Sequence, residues 1–274
     1  EHSGLKTIRF HTVEPRKLFE IGSFKFDPLP VQHSIIESVA YAIQTPVGNI
    51  IHTGDFKHDA HEIKGETIDF AAFKEWSKKG ILLLLSDSTN AERQGHTLSE
   101  IDISKSFEKI FREQNSRLLI ALFASNIRRI ESFLVLAKKF NKKIAFAGRS
   151  MHLYTKLARE LKSLDIPEGV LIPLESVESF DDKEVVILAT GSQAEPQSAL
   201  VRIANGEHRE MKLHATDMVI LSSRFIPGNE RNIADMIDHL YRAGAEVMYE
   251  SFHQIHVSGH GFQEELTMML EAVK

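Results

Sequence analysis

Short apolar runs alternate with polar turns along the first part of the chain. Two β-prone runs, Val39–Thr45 and Ile50–Thr53, flank Pro46–Asn49, whose proline and glycine favour a turn. The pattern predicts a β-hairpin. If the last residue of the first run faces the first residue of the second, Asp55 falls opposite Ala40, near the start of the first strand.

Neighbouring segments carry similar signals. Short strands are predicted over Thr7–Val13 and Gly22–Pro28, and a helix over Phe70–Lys79 whose apolar spacing assigns Trp76 to the core. The uninterrupted apolar run Ile81–Leu85 is typical of a strand that is buried on both faces. The hairpin is therefore expected to be part of a larger sheet with a helix packed on it.

Beyond about Thr97 the pattern becomes a regular succession of strand, loop and helix. The predicted strands are Arg117–Phe123, Lys143–Ala147, Val185–Ala189, Met218–Leu221 and Glu246–Tyr249. The predicted helices are Ile101–Gln114, Ile127–Phe140, a helix from the Gly148–Ser150 turn to about Leu164, Asn229–Arg242 and Phe262–Val273. Buried strands that alternate with amphipathic helices form parallel sheets, so this part is predicted to be a doubly wound α/β unit.

Composition narrows the choice of function. The chain has 274 residues, 42% of them hydrophobic, and a formal net charge of −5. It therefore lacks the global basic field of many nucleic-acid-binding proteins, and any polyanion site must be local. There is no cysteine, which excludes disulfides and thiolate metal sites and is typical of a reducing compartment. No apolar run approaches the ~20 residues that span a membrane.

His33 and Asp55 are the first candidate functional pair. His33 enters the predicted hairpin at the end where Asp55 leaves it, after the glycine turn at Gly54. Neutral imidazole and carboxylate are common ligands of divalent metals. The alternative is an ordinary loop histidine and an ordinary turn aspartate, which the pair alone does not exclude.

Polar residues recur where the predicted parallel strands end, among them Ser125, Asn126, Ser150, Ser192, Ser222 and Ser223. The carboxyl ends of parallel strands are where open α/β sheets bind ligands. Ser125 and Ser150 are predicted to stand at helix N-termini, which favour anions such as phosphate. The alternative is that these serines only cap their helices.

A second candidate segment, Ile255–Gly261, reads Ile-His-Val-Ser-Gly-His-Gly before the last predicted helix. Its glycines permit a tight backbone whose N–H groups can converge on an anion. His260 is placed to donate a proton and His256 to contact a phosphate. A capped helix start with two surface histidines is an equally good reading of the spacing.

Taken together, these segments resemble ribonuclease J, a group of the metallo-β-lactamase superfamily with a β-CASP insert. The matching stretches run in the family's order across the chain, which makes the series specific although each stretch alone is weak. They are His33–Ile35, Thr53–Lys57, Ser86–Asn90, Phe123–Ile127, Gly148–Met151, Thr190–Gln193, Ser222–Arg224, Pro227–Glu230 and His256–His260.

The resemblance implies roles for individual residues. His33 and Asp55 are expected to be metal ligands, with Asp55 bridging two ions. Asp87 is expected to orient the active-site histidine, and His260 to assist the leaving group or steady the scissile phosphate. The residues expected to be catalytic are thus His33, Asp55, Asp87 and His260. Those expected to bind the substrate and its 5′-phosphate end are Ser125, Asn126, His256, Val257, Ser258, Gly259 and His260.

The resemblance also implies a fold and an activity. The expected fold is α/β: a partial metallo-β-lactamase αββα sandwich over residues 1–96 and 258–274, with a doubly wound β-CASP domain inserted over 97–257. The expected activity is hydrolysis of RNA phosphodiesters, both 5′-to-3′ exonucleolytic and endonucleolytic, in cytoplasmic RNA processing and decay. Two Zn²⁺ ions, or Mn²⁺, would serve it. The expected partners are RNA with a 5′-monophosphate and further copies of the chain in a homodimer or homotetramer, but no membrane.

The chain also departs from the family pattern. The family's His-x-His-x-Asp-His motif is not in these residues, and neither is the last metal histidine in its Pro-Val-His context. Because the chain starts at Glu1 without methionine and stops at Lys274 inside a predicted helix, it is expected to be an excerpt of a longer protein. A metal ion needs about three or four protein ligands, so the chain alone is expected to be inactive.

Two other functions compete with the nuclease. One is a non-catalytic RNA-binding or assembly subunit of the same family that has kept the phosphate pocket. It predicts salt-sensitive RNA binding that does not depend on zinc. The other is a metallo-hydrolase with a small-molecule substrate, which fits less well because a serine-lined sheet edge suits a polyanion.

Overall fold

The first of two five-stranded sheets holds the predicted hairpin. The structure, a computed structural model, describes residues 9–60, 67–249 and 255–274. The first four strands pair antiparallel in chain order, and the fifth pairs parallel with the fourth. In sheet order they are β1 (Phe19–Ile21), β2 (Phe24–Pro30), β3 (Val39–Thr45), β4 (Gly48–His52) and β5 (Ile81–Leu85).

The hairpin exists, but its predicted register is wrong. Thr45 pairs with Gly48, and Ile43 rather than Thr45 pairs with Ile50. The turn is tighter than expected because Gly48, with a positive φ of 152°, already belongs to β4. The Thr45 hydroxyl closes the turn by donating to the Gly48 carbonyl at 2.8 Å. Strand β4 ends at His52, so Asp55 lies beyond the hairpin ladder instead of opposite Ala40.

One further strand prediction is confirmed except for its burial, and another fails. The run Ile81–Leu85 is a strand, but it is not buried on both faces: Leu82 is 64% exposed, and β5 pairs only with β4 among the described residues. Of the predicted strand Thr7–Val13, residues 7 and 8 lie outside the described residues, and 9–13 form no strand. Phe10 in this segment is 90% exposed and therefore has no sheet to pack on.

The second sheet is entirely parallel, which confirms the predicted α/β architecture. The strand order reverses around β6 and β8, as a doubly wound sheet requires. In sheet order the strands are β10 (Glu246–Met248), β9 (Met218–Leu221), β6 (Leu118–Ala121), β8 (Val185–Ala189) and β7 (Lys143–Ala147).

Helices cover both faces of this sheet. One face packs on α2 (Glu100–Glu113), α3 (Ile127–Lys139) and α4 (Arg149–Glu160). The other packs on α5 (Ala199–Ala204) and α6 (Glu230–Arg242). Sequence analysis missed α5 and two 3₁₀ segments, Leu174–Ser179 and Asp182–Glu184, because they are too short to show a helical period.

Two helices pack beside each other on the first sheet although they are far apart in the chain. Helix α1 (Phe70–Ser77) and helix α7 (Gln263–Val273) share a core that includes Phe73 and Met269. Trp76 is 4% exposed, as predicted, and its indole N–H donates to Asp27 at 2.9 Å. The chain therefore returns to the first sheet after completing the parallel one. Among the described residues, none of the helices combines the length and the apolar character needed to cross a bilayer.

Candidate active site

His33 and Asp55 meet at the edge of the first sheet. His33 follows β2, and Asp55 follows β4 after Gly54, whose φ of 60° provides the turn. The His33 Nε2 atom lies 3.8 Å from an oxygen of Asp55, whose side chain is 63% exposed. His33 and Asp55 are therefore close in space, as predicted. The reason differs from the prediction, because Asp55 lies beyond the hairpin and not opposite Ala40.

The ring of His33 is held by the backbone of Gly259. Its Nδ1 lies 2.7 Å from the Gly259 carbonyl oxygen, an acceptor, so Nδ1 carries the hydrogen and Nε2 keeps its lone pair. A Cβ atom on Gly259 would lie 2.7 Å from the imidazole, so any larger residue would displace the ring. Burial lowers the pKa of His33, which favours the neutral imidazole that binds metals.

His260 is oriented in the same way, by a carboxylate. Its Nδ1 donates to Asp87 at 2.8 Å, and the same oxygen of Asp87 accepts the N–H of Phe56 at 3.2 Å. Burial opposes ionisation of Asp87, yet the hydrogen bonds from His260 and Thr89 outweigh it and lower its pKa to about 2. The hydrogen bond to Asp87 raises the pKa of His260, so Asp87 stabilises the imidazolium as well as the ring orientation.

His33, Asp55 and His260 form one cluster. A ligand atom from each lies within 4.8 Å of the other two. In both histidines Nδ1 is engaged, so Nε2 is the ring nitrogen left to bind a metal; that of His33 also lies 3.3 Å from the Ser34 hydroxyl. Two oriented imidazoles and an exposed carboxylate match the three protein ligands of many catalytic metal sites. The donor set therefore fits one divalent ion.

The segment before His260 alternates between the core and the site. Ile255 and Val257 are 1% and 4% exposed and pack in the core beneath the parallel sheet. The Val257 side chain is thus unavailable to a substrate, and only its backbone could make the expected contact. His256 lies among buried charged side chains, whereas the Ser258 hydroxyl hydrogen-bonds Asn90 and the His260 N–H.

His256 faces a cluster of buried charges. Its Nδ1 is buried and has no hydrogen-bond partner among the described residues. Burial, reinforced by the positive charge of Arg129, lowers the pKa of His256 to about 3. Arg129 donates to both oxygens of Glu100 at 2.9 and 3.0 Å. Lys57, which is 2% exposed, lies 3.7 Å from Glu100.

Asn90 links the two candidate segments, and sequence reasoning assigned it no role. Its amide donates to the Ser258 hydroxyl at 2.9 Å and to the His260 carbonyl at 3.1 Å. Its carbonyl oxygen accepts from Arg224 at 2.7 Å. The Ser258 hydroxyl also accepts the His260 N–H at 2.9 Å, so its own hydrogen remains available to a ligand. The only sequence signal was the position of Asn90 in the polar loop after β5.

Ser125 and Asn126 differ in what they offer a ligand. Asn126, not Ser125, is the N-cap of α3, and its side-chain oxygen accepts the Arg129 N–H at 3.1 Å. That oxygen is therefore committed to the helix. The half-buried Ser125 side chain makes no hydrogen bond within the described ranges. Neither residue directly contacts the cluster of His33, Asp55 and His260 through a described hydrogen bond.

Comparison with known proteins identifies the family. Residues 115–240 match the family model of the ribonuclease J β-CASP domain. The chain is 42% identical over 276 residues to ribonuclease J of Helicobacter pylori. The alignment covers 100% of this chain and 40% of that protein. The chain belongs to the ribonuclease J family.

Other members of the family agree. Ribonuclease J of Synechocystis is 41% identical over 267 residues, covering 97% of this chain and 42% of that protein. Ribonuclease J of Thermus thermophilus is 40% identical over 273 residues, covering 98% and 48%. The chain thus spans less than half the length of the ribonucleases J that it matches.

A solved structure supports the fold. The crystal structure of a protein of unknown function from Enterococcus faecalis superposes with a TM-score of 0.66 over 97% of this chain and 60% of that one. At 15% identity this likeness concerns the fold alone. It agrees with the two-sheet α/β architecture, whose parallel part is the β-CASP domain of the family.

Proposed function

We propose that the protein carrying this chain hydrolyses RNA phosphodiester bonds at a divalent metal held by His33 and Asp55. The observation that supports this most directly is the cluster of His33, Asp55 and His260, in which both imidazoles are held with Nε2 inward. The names of the relatives point to ribonuclease activity. Both 5′-to-3′ exonucleolytic and endonucleolytic cleavage are part of the proposal.

The metal would activate a water molecule and stabilise charge on the reacting phosphate. His33 would hold it through Nε2, since Nδ1 is engaged by Gly259. Asp55, exposed at the mouth of the cluster, would bind it through a carboxylate oxygen. Zn²⁺ suits this nitrogen and oxygen donor set, and Mn²⁺ is the alternative.

His260 would act on the leaving group. Asp87 holds its Nδ1–H and stabilises the protonated ring, so Nε2–H can donate to the departing oxygen or contact the scissile phosphate. Asp87 is thus a positioning residue, because it acts through His260. His260 also belongs to the metal-sized cluster, and its role as proton donor requires that its Nε2 not be occupied by the ion.

A phosphate pocket is proposed beside this centre. The Ser258 hydroxyl keeps a hydrogen to donate, and His256 has a buried Nδ1 without a partner in the described structure. Ser125, with its uncommitted side chain, and the backbone of Gly259 would complete the pocket. It would hold the 5′-monophosphate of the RNA or an internal phosphate.

Replacing Asp55 tests the proposal. We expect Asp55→Ala to lower RNA cleavage by the protein that contains these residues by about a hundredfold or more, because even partners of metal ligands contribute 10–100-fold. RNA binding should change little, since Asp55 serves the metal. The measurement is cleavage of a 5′-monophosphorylated RNA, with binding followed by fluorescence anisotropy.

Asp165→Ala, which removes an exposed carboxylate outside the cluster, is the matched control and should cleave at the original rate. Cleavage retained by Asp55→Ala would overturn the metal assignment. RNA binding that is unaffected by chelators, with no cleavage in any metal, would instead favour the non-catalytic RNA-binding or assembly subunit.

The 274-residue chain by itself is proposed to be inactive. His33 and Asp55 give the ion two protein ligands, fewer than the three or four that a metal site needs, and His260 cannot be the third while it donates the proton. We expect a Zn²⁺ titration of this chain followed by calorimetry to show at most one site at this cluster, which Asp55→Ala weakens. The proposed 5′-monophosphate preference and the homodimeric or homotetrameric assembly are separate parts of the proposal and are not needed for this result.

A further inference from the structure

A basic cavity lies at the carboxyl edge of the parallel sheet, outside the candidate active site. It has a volume of about 690 Å³ and is lined by residues that follow β7 and β8, including Arg149, Ser198, Arg202 and Arg209. Of the residues considered above for anion binding, Ser150 lines it at the start of α4, whereas His33, Asp55, Ser125, His256, Ser258 and His260 do not. We propose that this cavity, which we call the α4 cavity, binds a nucleotide of an RNA strand through its phosphate.

The arginines of the α4 cavity are available to a ligand. Arg149 and Arg209 are exposed, and neither makes a hydrogen bond or ion pair with another residue in the described ranges. Within the described residues, the Arg202 guanidinium donates to the Glu207 carbonyl alone, at 3.3 Å. The planar fork of an arginine matches the oxygens of a phosphate, so three such groups around one cavity suit a phosphodiester.

The floor of the cavity supplies polar hydrogens. Gly148 and Gly191 line it. A Cβ on Gly148 would lie 2.4 Å from the Thr190 hydroxyl, and a Cβ on Gly191 would lie 2.3 Å from the Ser198 hydroxyl. The Ser198 Oγ is buried and has no hydrogen-bond partner among the described residues, so its hydrogen is unused. Helix α4 begins at this floor without a side-chain cap, which leaves its first N–H groups open.

Two carboxylates in the lining favour a nucleotide over a bare phosphate. Glu195 and Glu210 oppose the three arginines, so the cavity is only modestly positive. A carboxylate repels phosphate but accepts hydrogen bonds from the amino and imino groups of a base. A nucleotide carries both a phosphate, which the arginines attract, and a base, whose N–H groups the carboxylates accept.

A second cavity continues the first along α4. It measures about 550 Å³, shares Phe146 and His152 with the α4 cavity and adds Lys156, Arg159 and Glu160, the last lying 3.9 Å from Lys156. Arg149, His152, Lys156 and Arg159 recur every three or four residues, so they lie on one face of the helix. A basic groove longer than one nucleotide favours a strand over a free nucleotide.

The α4 cavity also joins the candidate active site through one polar edge. Gln193, after β8, donates to the Arg224 carbonyl at 2.6 Å, and Arg224 donates to Asn90, which contacts His260. The Gln193 N–H donates to Glu195 of the cavity at 3.3 Å. An RNA strand held at the candidate active site can therefore extend along the same edge. The choice of RNA as the ligand of the α4 cavity rests on the proposed function, whereas the cavity and its charges do not.

The test uses a fluorescein-labelled oligouridylate with a 5′-hydroxyl end, in EDTA, so that hydrolysis does not occur and no terminal phosphate binds; any internal phosphate held in the phosphate pocket contributes equally in all variants. We expect Arg149→Ala/Arg209→Ala to weaken binding about tenfold or more, since a hydrogen bond to a charged group contributes about 1.5–3 kcal/mol. The slope of log affinity against log salt should fall by about 1.4, or ~0.7 for each lost contact to a single strand.

The control variant Lys162→Ala/Arg242→Ala removes the same charge from exposed sites at the carboxyl ends of α4 and α6, which lie toward the opposite edge of the sheet: Lys162 follows α4, and Arg242 is the last residue of α6. It should bind as the original chain does. An equal loss in both double variants would overturn the proposal, because it would reflect net charge alone. Unchanged binding in Arg149→Ala/Arg209→Ala would overturn it as well.

Hydrogen exchange locates the ligand. We expect the oligouridylate to protect amides 148–152 and 198–202, and Arg149→Ala/Arg209→Ala to abolish that protection with an unchanged thermal unfolding curve. Protection by uridine monophosphate but not by the oligouridylate would overturn the RNA assignment. If Asp55→Ala binds RNA normally but the parent protein never cleaves it, the proposed hydrolysis fails while the α4 cavity stands.

Discussion

At the scale of single residues, the partner of each histidine decides what it can do. The Gly259 carbonyl fixes the tautomer of His33, whereas the Asp87 carboxylate both fixes and charges His260. His256, only four residues away, is forced to stay neutral by burial and by Arg129. His33, His256 and His260 therefore differ in their affinity for a proton.

The low pKa of His256 predicts acid sensitivity. The folded chain keeps His256 neutral down to about pH 3, whereas an unfolded histidine takes up a proton near its ordinary pKa of 6.5. Its contribution to stability is therefore full above pH 6.5 and is lost as the pH falls toward 3. At pH 5 the loss is about 2 kcal/mol.

We expect His256→Gln to flatten the fall of unfolding free energy between pH 7 and 5, measured by urea denaturation. His11→Gln, at an exposed position, should keep the original pH dependence. Parallel curves for His256→Gln and the original chain would contradict the assignment of this acid sensitivity to His256.

At the scale of elements, a buried ion pair anchors the parallel sheet. Arg117, just before β6, donates to both oxygens of Asp217, just before β9, at 3.0 and 2.8 Å. Both residues are 0% exposed. Arg117 also donates to Glu178 at 2.9 Å and to the Lys212 carbonyl at 2.7 Å. The amino ends of two central strands are therefore fixed to each other and to the connecting loops.

Breaking this pair should be costly. We expect Asp217→Asn to lower the unfolding free energy by about 3–5 kcal/mol, because it leaves the Arg117 charge buried without its counter-ion. Asp102→Asn removes an exposed carboxylate paired with Lys105 at 3.2 Å and should cost less than about 1 kcal/mol. Similar losses for the two variants would show that burial of the Arg117 pair does not matter.

At the scale of the whole molecule, a charged junction joins the two sheets. Arg129 of α3 donates to Glu100 of α2 and to the Ser222 hydroxyl after β9, at 2.9 Å. Glu100 faces Lys57 from the first sheet's loop at 3.7 Å. Ser222 in turn donates to the Ile255 carbonyl at 2.7 Å, at the start of the segment that carries His260. The junction therefore positions the candidate active site.

Arg129→Leu tests the junction. We expect a loss of about 3–5 kcal/mol of unfolding free energy, because Glu100 loses its bidentate partner in a buried site. Amide exchange across residues 255–261 should become faster, since Ser222 no longer has its second partner. Arg112→Leu, on the exposed side of α2, should leave both readings unchanged. Unchanged exchange in Arg129→Leu would show that the segment is held by other contacts.

Local pattern was sufficient for the parallel sheet and its long helices. Buried strands and amphipathic helices carry their period in neighbouring residues, so Lys143–Ala147 and Val185–Ala189 appear as strands in the structure as predicted. The pattern also indicated that polar residues end these strands, as Asp87 does after β5. The short α5 and the exposure of β5 were missed, because the first has no full period and the second depends on what packs over the strand.

By itself, the sequence determined the α/β architecture and the residue types from which the candidate site is built. Tertiary structure alone decided how they meet: His33 and Gly259 are 226 positions apart in the chain and still share a hydrogen bond. It also decided that Val257 packs inward and that Asn90 joins the two segments. Such contacts depend on how segments that are distant in the chain pack together, which no local period encodes.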